Sequence, residues 1–180
     1  MLTGVRKSSF MNINYEQFYA FKNLDRTQIQ KFVSTCKGVI IPAERKILLQ
    51  NEHGNKIFFL LDGEVRVFLD TPVGEKELSR SKAPTVLGEI SFFSGEPNSA
   101  NVATVTQVKA MIMPFEVLRQ RLREGDAVYS IVMLNIAGAI AQRAYAMTRK
   151  ISELYGQQTE TQLSAIQNTS KNLFGEWSFL

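Results

Sequence analysis

Apolar and polar positions divide the chain into three regions with different periodicities. From Tyr15 to Thr35 the apolar residues recur at helical spacing, which predicts two short helices interrupted near residues 23–25. Between about Lys37 and Pro114, short apolar runs alternate with turn residues, a pattern typical of short strands. After Pro114 the helical spacing returns.

The middle region predicts an antiparallel β-roll, that is, a double-stranded jelly roll. The Asp62-Gly63 dipeptide separates the apolar runs FFLL and EVRV, and it predicts a two-residue β-hairpin. All the prolines of the chain also lie in this region, at Pro42, Pro72, Pro84, Pro97 and Pro114. Regular short strands separated by turns indicate a mainly β domain, here with flanking helices.

A short helix over residues 115–124 and a long helix over residues 127–154 follow, with Gly125-Asp126 ending one and capping the next. The long helix carries apolar residues at heptad spacing: Met133, Ala137, Ile140, Ala144, Met147, Ile151 and Leu154. A second apolar line on the same helix is expected to pack on the β region. The heptad line could also belong to the core of the chain, but three heptads favour a symmetric dimer.

These patterns divide the chain into an N-terminal helical segment (1–36), a β-roll (37–114), helices that include a dimerisation-type helix (115–156), and a tail (157–180). The tail is polar and then ends in LFGEWSFL. Aromatic residues near a terminus usually pack against another surface, so Trp177 and Phe179 are a predicted site for a protein partner.

Composition excludes several classes of function. The net charge of +4 is spread along the chain, and residues after Leu154 contain no basic recognition helix, so direct DNA binding is not expected. One cysteine, no secretory signal and no apolar run of membrane length favour a cytoplasmic location away from membranes. His53 is the only histidine, which argues against a catalytic metal site or a Ser-His-Asp triad. No catalytic residue, metal or enzyme activity is therefore predicted.

The order of these features resembles the cyclic nucleotide-binding domain of the catabolite activator protein and of the protein kinase A regulatory subunit. The resemblance covers residues from about 15 to 154. It is strongest in FFLLDGEVRVFL (58–69), in LGEISFFSGEPNSANVATV (87–105) and in the two helices that follow. In that family the segment matching residues 88–102 is the phosphate-binding cassette. The resemblance implies a regulatory domain with a cyclic nucleotide ligand and no other cofactor.

The 88–102 loop supplies most of the predicted ligand-binding residues. Gly88 permits a close backbone approach, and residues 90–93 are expected to form a short helix with free N–H groups facing an anion. Glu89 would accept a hydrogen bond from a ribose hydroxyl, and the Ser99 hydroxyl and Ala100 N–H would donate to phosphate oxygens. The complete predicted ligand-binding set is Gly88, Glu89, Ile90, Ser91, Asn98, Ser99, Ala100 and Thr148.

Two positions depart from the family pattern. The cassette arginine, which pairs with the phosphate, corresponds to Asn98 here, so the strongest contact implied by the resemblance is missing. The family's dimer helix supplies a hydroxyl pair to the base, whereas this chain has Met147-Thr148 and retains one hydroxyl at most.

Two functions are compatible with these residues. The first is a stand-alone dimeric sensor that binds a cyclic nucleotide weakly, or binds a related small anion. The second is a ligand-independent scaffold for dimerisation and protein docking. Asn98 favours the second function, whereas Gly88, Glu89, Ser99 and Ala100 favour the first.

Overall fold

The computed structural model describes residues 3–4 and 14–155. Within these residues, nine strands form two antiparallel sheets, one of order β1-β2-β9-β4-β7 and one of order β3-β8-β5-β6. The strands are β1 (Thr3–Gly4), β2 (Lys37–Ile41), β3 (Lys46–Leu48), β4 (Lys56–Asp62), β5 (Glu64–Thr71), β6 (Gly74–Lys82), β7 (Thr85–Leu87), β8 (Asn101–Thr104) and β9 (Val108–Pro114). This arrangement confirms the predicted β-roll with flanking helices.

The helices lie on both sides of the strands in sequence. Two 3-10 turns (Tyr15–Gln17 and Tyr19–Phe21) and α1 (Arg26–Thr35) precede most of the sheet. The others are α2 (Glu89–Ser94) within the roll, α3 (Phe115–Arg123) and α4 (Ala127–Tyr155). Residues 15–35 are thus mainly helical, and Thr3–Gly4 pair with β2 as a short strand.

The interior of the roll is an apolar core built from alternate positions of facing strands. Its buried members are Val39, Ile41, Leu48, Phe58, Leu60, Val65, Val102, Val108, Ala110 and Ile112. Because side chains alternate across a strand, Phe58 and Leu60 of β4 face this core while Phe59 faces the other side of the sheet.

Phe59 is the centre of a second, aromatic core on the outer side of the five-stranded sheet. Its ring stacks on Phe21 at a centroid distance of 5.8 Å and meets Phe32 edge-on at 5.4 Å. Phe18 lies 6.4 Å from the same ring, and Tyr129 of α4 lies 5.0 Å from Phe32. These rings attach the N-terminal turns, α1 and the start of α4 to the sheet.

Polar contacts also hold α1 and the N-terminal turns against the start of α4. The hydroxyl groups of Thr35 and Tyr129 are 2.8 Å apart, and Lys31 Nζ lies 2.7 Å from Asp126 Oδ2. The Lys31 ammonium holds the pKa of the Asp126 carboxyl below its usual value. The Asn135 amide donates to the carbonyl oxygens of Ala20 and Lys22, at 3.1 and 2.7 Å. Helix α4 therefore begins as part of the folded domain.

The predicted hairpin at Asp62-Gly63 is wrong. Strand β4 pairs with β7 and β9, whereas β5 pairs with β6 and β8, so the dipeptide carries the chain from one sheet to the other. Gly63 has a φ of 97°, and a Cβ there would lie 2.6 Å from the Gln107 carbonyl oxygen. Glycine is needed for a close backbone approach at this corner rather than for a two-residue turn.

The chain divides into two compact units, residues 1–139 and 140–180, with α4 continuing across the boundary. The predicted second apolar line packs in the first unit, where Val128, Val132 and Ile136 are buried. Met133, which was predicted for the dimer interface, is buried there too and packs in the domain's own core.

Helix α4 is long and apolar enough over Ala127–Glu153 to cross a membrane, by length and composition only. The expectation that no segment reaches such a length is therefore wrong. Core helices of proteins without membrane spans can have the same length and composition. Most of the large apolar residues in the first three turns of α4 are buried against the rest of the first unit, as in such a core helix.

Candidate ligand site in the 88–102 loop

The 88–102 loop contains one short helix bounded by two left-handed glycines. Gly88 (φ 82°) precedes α2, and Gly95 (φ 75°) ends it. A side chain at Gly88 would place Cβ 2.8 Å from the Lys56 carbonyl oxygen, so this position requires glycine for its backbone angle and for space. The short helix predicted over residues 90–93 is confirmed and extends from Glu89 to Ser94.

Asn98 is turned into the protein. Its side chain is buried, and its amide donates a hydrogen bond of 3.1 Å to the Leu49 carbonyl oxygen. The Asn98 backbone also exchanges two bonds of 2.9 Å with residues 51 and 52. At the position of the family's arginine, this chain therefore has a neutral group that anchors the loop to a neighbouring turn.

The first residues of α2 differ in their environments. Glu89 is buried and has a polar partner, and Ser91 is buried with its hydroxyl donating to the Glu96 carbonyl oxygen at 2.7 Å. Ile90 and Phe93 are exposed on the surface of the helix. Ser91 thus closes the loop, a role that the expectation of ligand contact did not include.

The remaining predicted ligand contacts lie at the end of the loop and on α4. Ser99 is exposed and Ala100 is partly exposed, so the predicted donors at these positions lie at or near the surface. Thr148 lies on α4 in the second unit, and its hydroxyl donates to the Ala144 carbonyl oxygen at 3.0 Å.

A polar network that the sequence interpretation missed supports the loop from the four-stranded sheet. Asn101 is buried, its amide donates to Asp70 Oδ2 at 2.9 Å, and its Oδ1 accepts from the Gln50 backbone N–H at 3.0 Å. Gln50 Oε1 in turn accepts from the Asp70 backbone N–H at 2.9 Å. The one available signal was an asparagine between Ala100 and Val102, in a strand that is otherwise apolar at its centre.

The other residues of the predicted dimer seam remain on α4. Ala137, Ile140 and Ile151 are partly exposed, and Ala144 and Met147 are exposed. The Leu154 side chain, and the tail with Trp177 and Phe179, lie outside the described residues. Within the described part of the chain, no group of three or more His, Cys, Asp or Glu side chains is arranged to hold a metal ion.

Comparisons with known proteins agree with this geometry. Residues 39–125 match the family model of the cyclic nucleotide-binding domain. The chain is 32% identical over 111 residues to mouse cGMP-dependent protein kinase 2, which covers 62% of this chain and 14% of the relative. It is 24% identical over 100 residues to the CRP-like cAMP-activated global transcriptional regulator of Mycobacterium tuberculosis, covering 55% of this chain and 45% of that protein.

Among solved structures, the cyclic nucleotide-binding domain from Methylobacillus flagellatus has the same fold, with a TM-score of 0.72 at 20% identity. That likeness covers 89% of this chain and 90% of the other. The curated relatives are longer, and this chain spans less than half of either of the two named above. Most of the roll and the whole 88–102 loop lie within residues 39–125, the part of this chain that matches the cyclic nucleotide-binding domain family.

Proposed function

We propose that this chain is a dimeric, non-enzymatic regulatory module that binds a cyclic nucleotide weakly or binds a related small anionic ligand. The family supports a cyclic nucleotide as the ligand. The backbone of the 88–102 loop supports it as well, because Gly88 and Gly95 hold α2 at the start of the loop and Ser99 remains exposed.

Asn98 is the reason to expect weak binding. A hydrogen bond to a charged group contributes about 1.5–3 kcal/mol, and a neutral one about 0.5–1.5. Where no other cation compensates, asparagine in place of arginine weakens phosphate binding by about 1–2.5 kcal/mol, or roughly 5- to 60-fold. The inward position of the Asn98 amide acts in the same direction. A site of micromolar affinity would become one of tens to hundreds of micromolar.

The first prediction is the affinity itself. In a calorimetric or NMR titration, we expect cyclic AMP or cyclic GMP to saturate the protein with a dissociation constant of roughly tens to hundreds of micromolar. Ordinary AMP serves as the control ligand, because it carries a phosphate without the cyclic diester. Sub-micromolar binding of cyclic AMP would show that Asn98 does not lower the affinity.

A second function, the ligand-independent docking scaffold, is favoured by the polar contacts within the loop. The Asn98 amide donates to the Leu49 carbonyl oxygen and the Ser91 hydroxyl donates to the Glu96 carbonyl oxygen, so both side chains have partners within the protein. Among the described residues, no buried side-chain nitrogen or oxygen lacks a hydrogen-bond partner. Absence of binding by every nucleotide at millimolar concentration would favour this alternative.

Dimerisation rests on the heptad line after Met133. Met147 on this line is 60% exposed, which leaves a large apolar side chain available to a second copy. A parallel pairing of α4 through Ala137, Ile140, Ala144, Met147, Ile151 and Leu154 would cover this line of residues.

The second prediction tests this pairing. Changing both Ile140 and Met147 to glutamate should convert the dimer to a monomer, because four carboxylates would meet in the apolar seam. Light scattering measures the molecular mass in solution. The matched control, Gln142→Glu with Arg149→Gln, makes the same change in net charge on the opposite side of the helix and should leave the dimer intact. A wild type that is monomeric at micromolar concentration contradicts the pairing.

A further inference from the structure

Because Asn98 stands at the position of the family's arginine, a cation outside the 88–102 loop is needed to neutralise a bound anion. Three basic residues outside the loop are already paired with carboxylates. Arg66 lies 2.8 Å from Glu75, Arg80 lies 2.8 Å from Glu77, and Lys109 lies 3.8 Å from Asp62. Each pairing reduces the positive charge that the side chain can offer to a ligand.

Lys56 is placed differently. Lys56 is the first residue of β4. A Cβ atom added to Gly88 would lie 2.8 Å from the Lys56 carbonyl oxygen, so the Lys56 backbone is in contact with the start of the 88–102 loop. Its side chain is partly buried. Among the described residues, Lys56 forms no ion pair within 4.0 Å.

The direction of the Lys56 side chain follows from Phe58. The ammonium nitrogen lies 5.7 Å from the centroid of the Phe58 ring, and Phe58 belongs to the core inside the roll. Phe58 pairs with Leu87 across β4 and β7, and Leu87 immediately precedes Gly88. The Lys56 ammonium is therefore on the inner side of the sheet, beside the point where the loop begins.

We propose that Lys56 supplies the positive charge that binds the anionic group of the ligand in the 88–102 loop. This assignment rests on the proposed function. It replaces a cation on the loop with a cation on the adjacent strand, which is held in place by its contact with the Phe58 ring.

The change from arginine to lysine also limits the chemistry of the ligand. An arginine binds a phosphate through two parallel hydrogen bonds, whereas the lysine ammonium is a compact point charge. Recognition then depends on charge more than on the orientation of the phosphate. A cyclic phosphodiester with one negative charge matches one ammonium group, with the anion on the β4 side of the loop.

The test compares three variants by NMR titration with cyclic AMP. Lys56→Met keeps an unbranched apolar stem over Phe58 but removes the charge, and we expect binding about 10- to 100-fold weaker than wild type. Lys56→Arg keeps the charge and should remain within about 3-fold of wild type. The control Lys37→Met removes the same charge from an exposed position on β2 and should leave the affinity unchanged.

Salt dependence provides a second readout. Raising the ionic strength should weaken binding by the wild type and have little effect on Lys56→Met, because the screened charge is absent in the variant. Thermal unfolding of each variant checks that the fold is intact. Binding by Lys56→Met within 2-fold of wild type would overturn the assignment of Lys56 alone. Absence of binding by the wild type would overturn both this assignment and the proposed ligand-binding function.

Discussion

Arginine in place of Asn98 is expected to strengthen the binding of cyclic AMP by one to two decades, about 1.4–2.8 kcal/mol. The guanidinium group would supply paired, charge-assisted hydrogen bonds that the present amide does not make. The backbone bonds of residue 98 to residues 51 and 52 do not depend on its side chain, so the loop keeps this attachment. Calorimetry on wild type and variant measures the gain.

The control for this prediction is Asn98→Ala. Both variants lose the bond from the Asn98 amide to Leu49, and only the arginine variant adds a charge. Loss of that bond lowers the free energy of unfolding by about 0.5–1.5 kcal/mol in both variants. The difference in affinity between them therefore isolates the charge. An arginine variant that binds no better than the alanine variant would show that the pocket does not accept a nucleotide, and would favour the docking scaffold.

Truncation of Phe59 to alanine should lower the free energy of unfolding by about 3–5 kcal/mol. Phe59 is 1% exposed, and its ring contacts Phe18, Phe21 and Phe32, so the cavity would open where the N-terminal turns and α1 meet the sheet. Chemical denaturation followed by circular dichroism measures the change.

Phe93→Ala is the matched control for this truncation. Phe93 is 44% exposed on α2, so removal of the same ring there should cost about 1 kcal/mol or less. Equal losses in the two variants would contradict the role of Phe59 as the centre of the outer aromatic core.

Local signals predicted the helices well, because the residues that specify them are close in sequence. Asp25 and Gln28 form a complete capping box at the start of α1, which explains the interruption expected near residues 23–25. Asp62-Gly63 misled the interpretation because a hairpin and a corner between sheets can use the same two residues. Which of them forms depends on strands β7, β8 and β9, which are distant in sequence.

The candidate site was predicted in its outline but not in its detail. The glycines and α2 follow from the family pattern, whereas the burial of Asn98 depends on the Leu49 carbonyl, about 50 residues earlier in the chain. Lys56 was missed because a lysine before an apolar run usually marks a solvated strand end. Its position beside Gly88 becomes visible only when β4 and β7 are paired.

The corner at Gly63 also affects how the protein is made. Because β4 does not pair with β5, its main partner is β9, where Phe59 meets Met111, again about 50 residues later. At a synthesis rate of about 5–20 residues per second, the apolar segment of β4 waits roughly 3–10 s on the ribosome before its partner is complete. During this interval the KIFFLL segment is an apolar stretch without its β9 partner, which makes the nascent chain prone to aggregation.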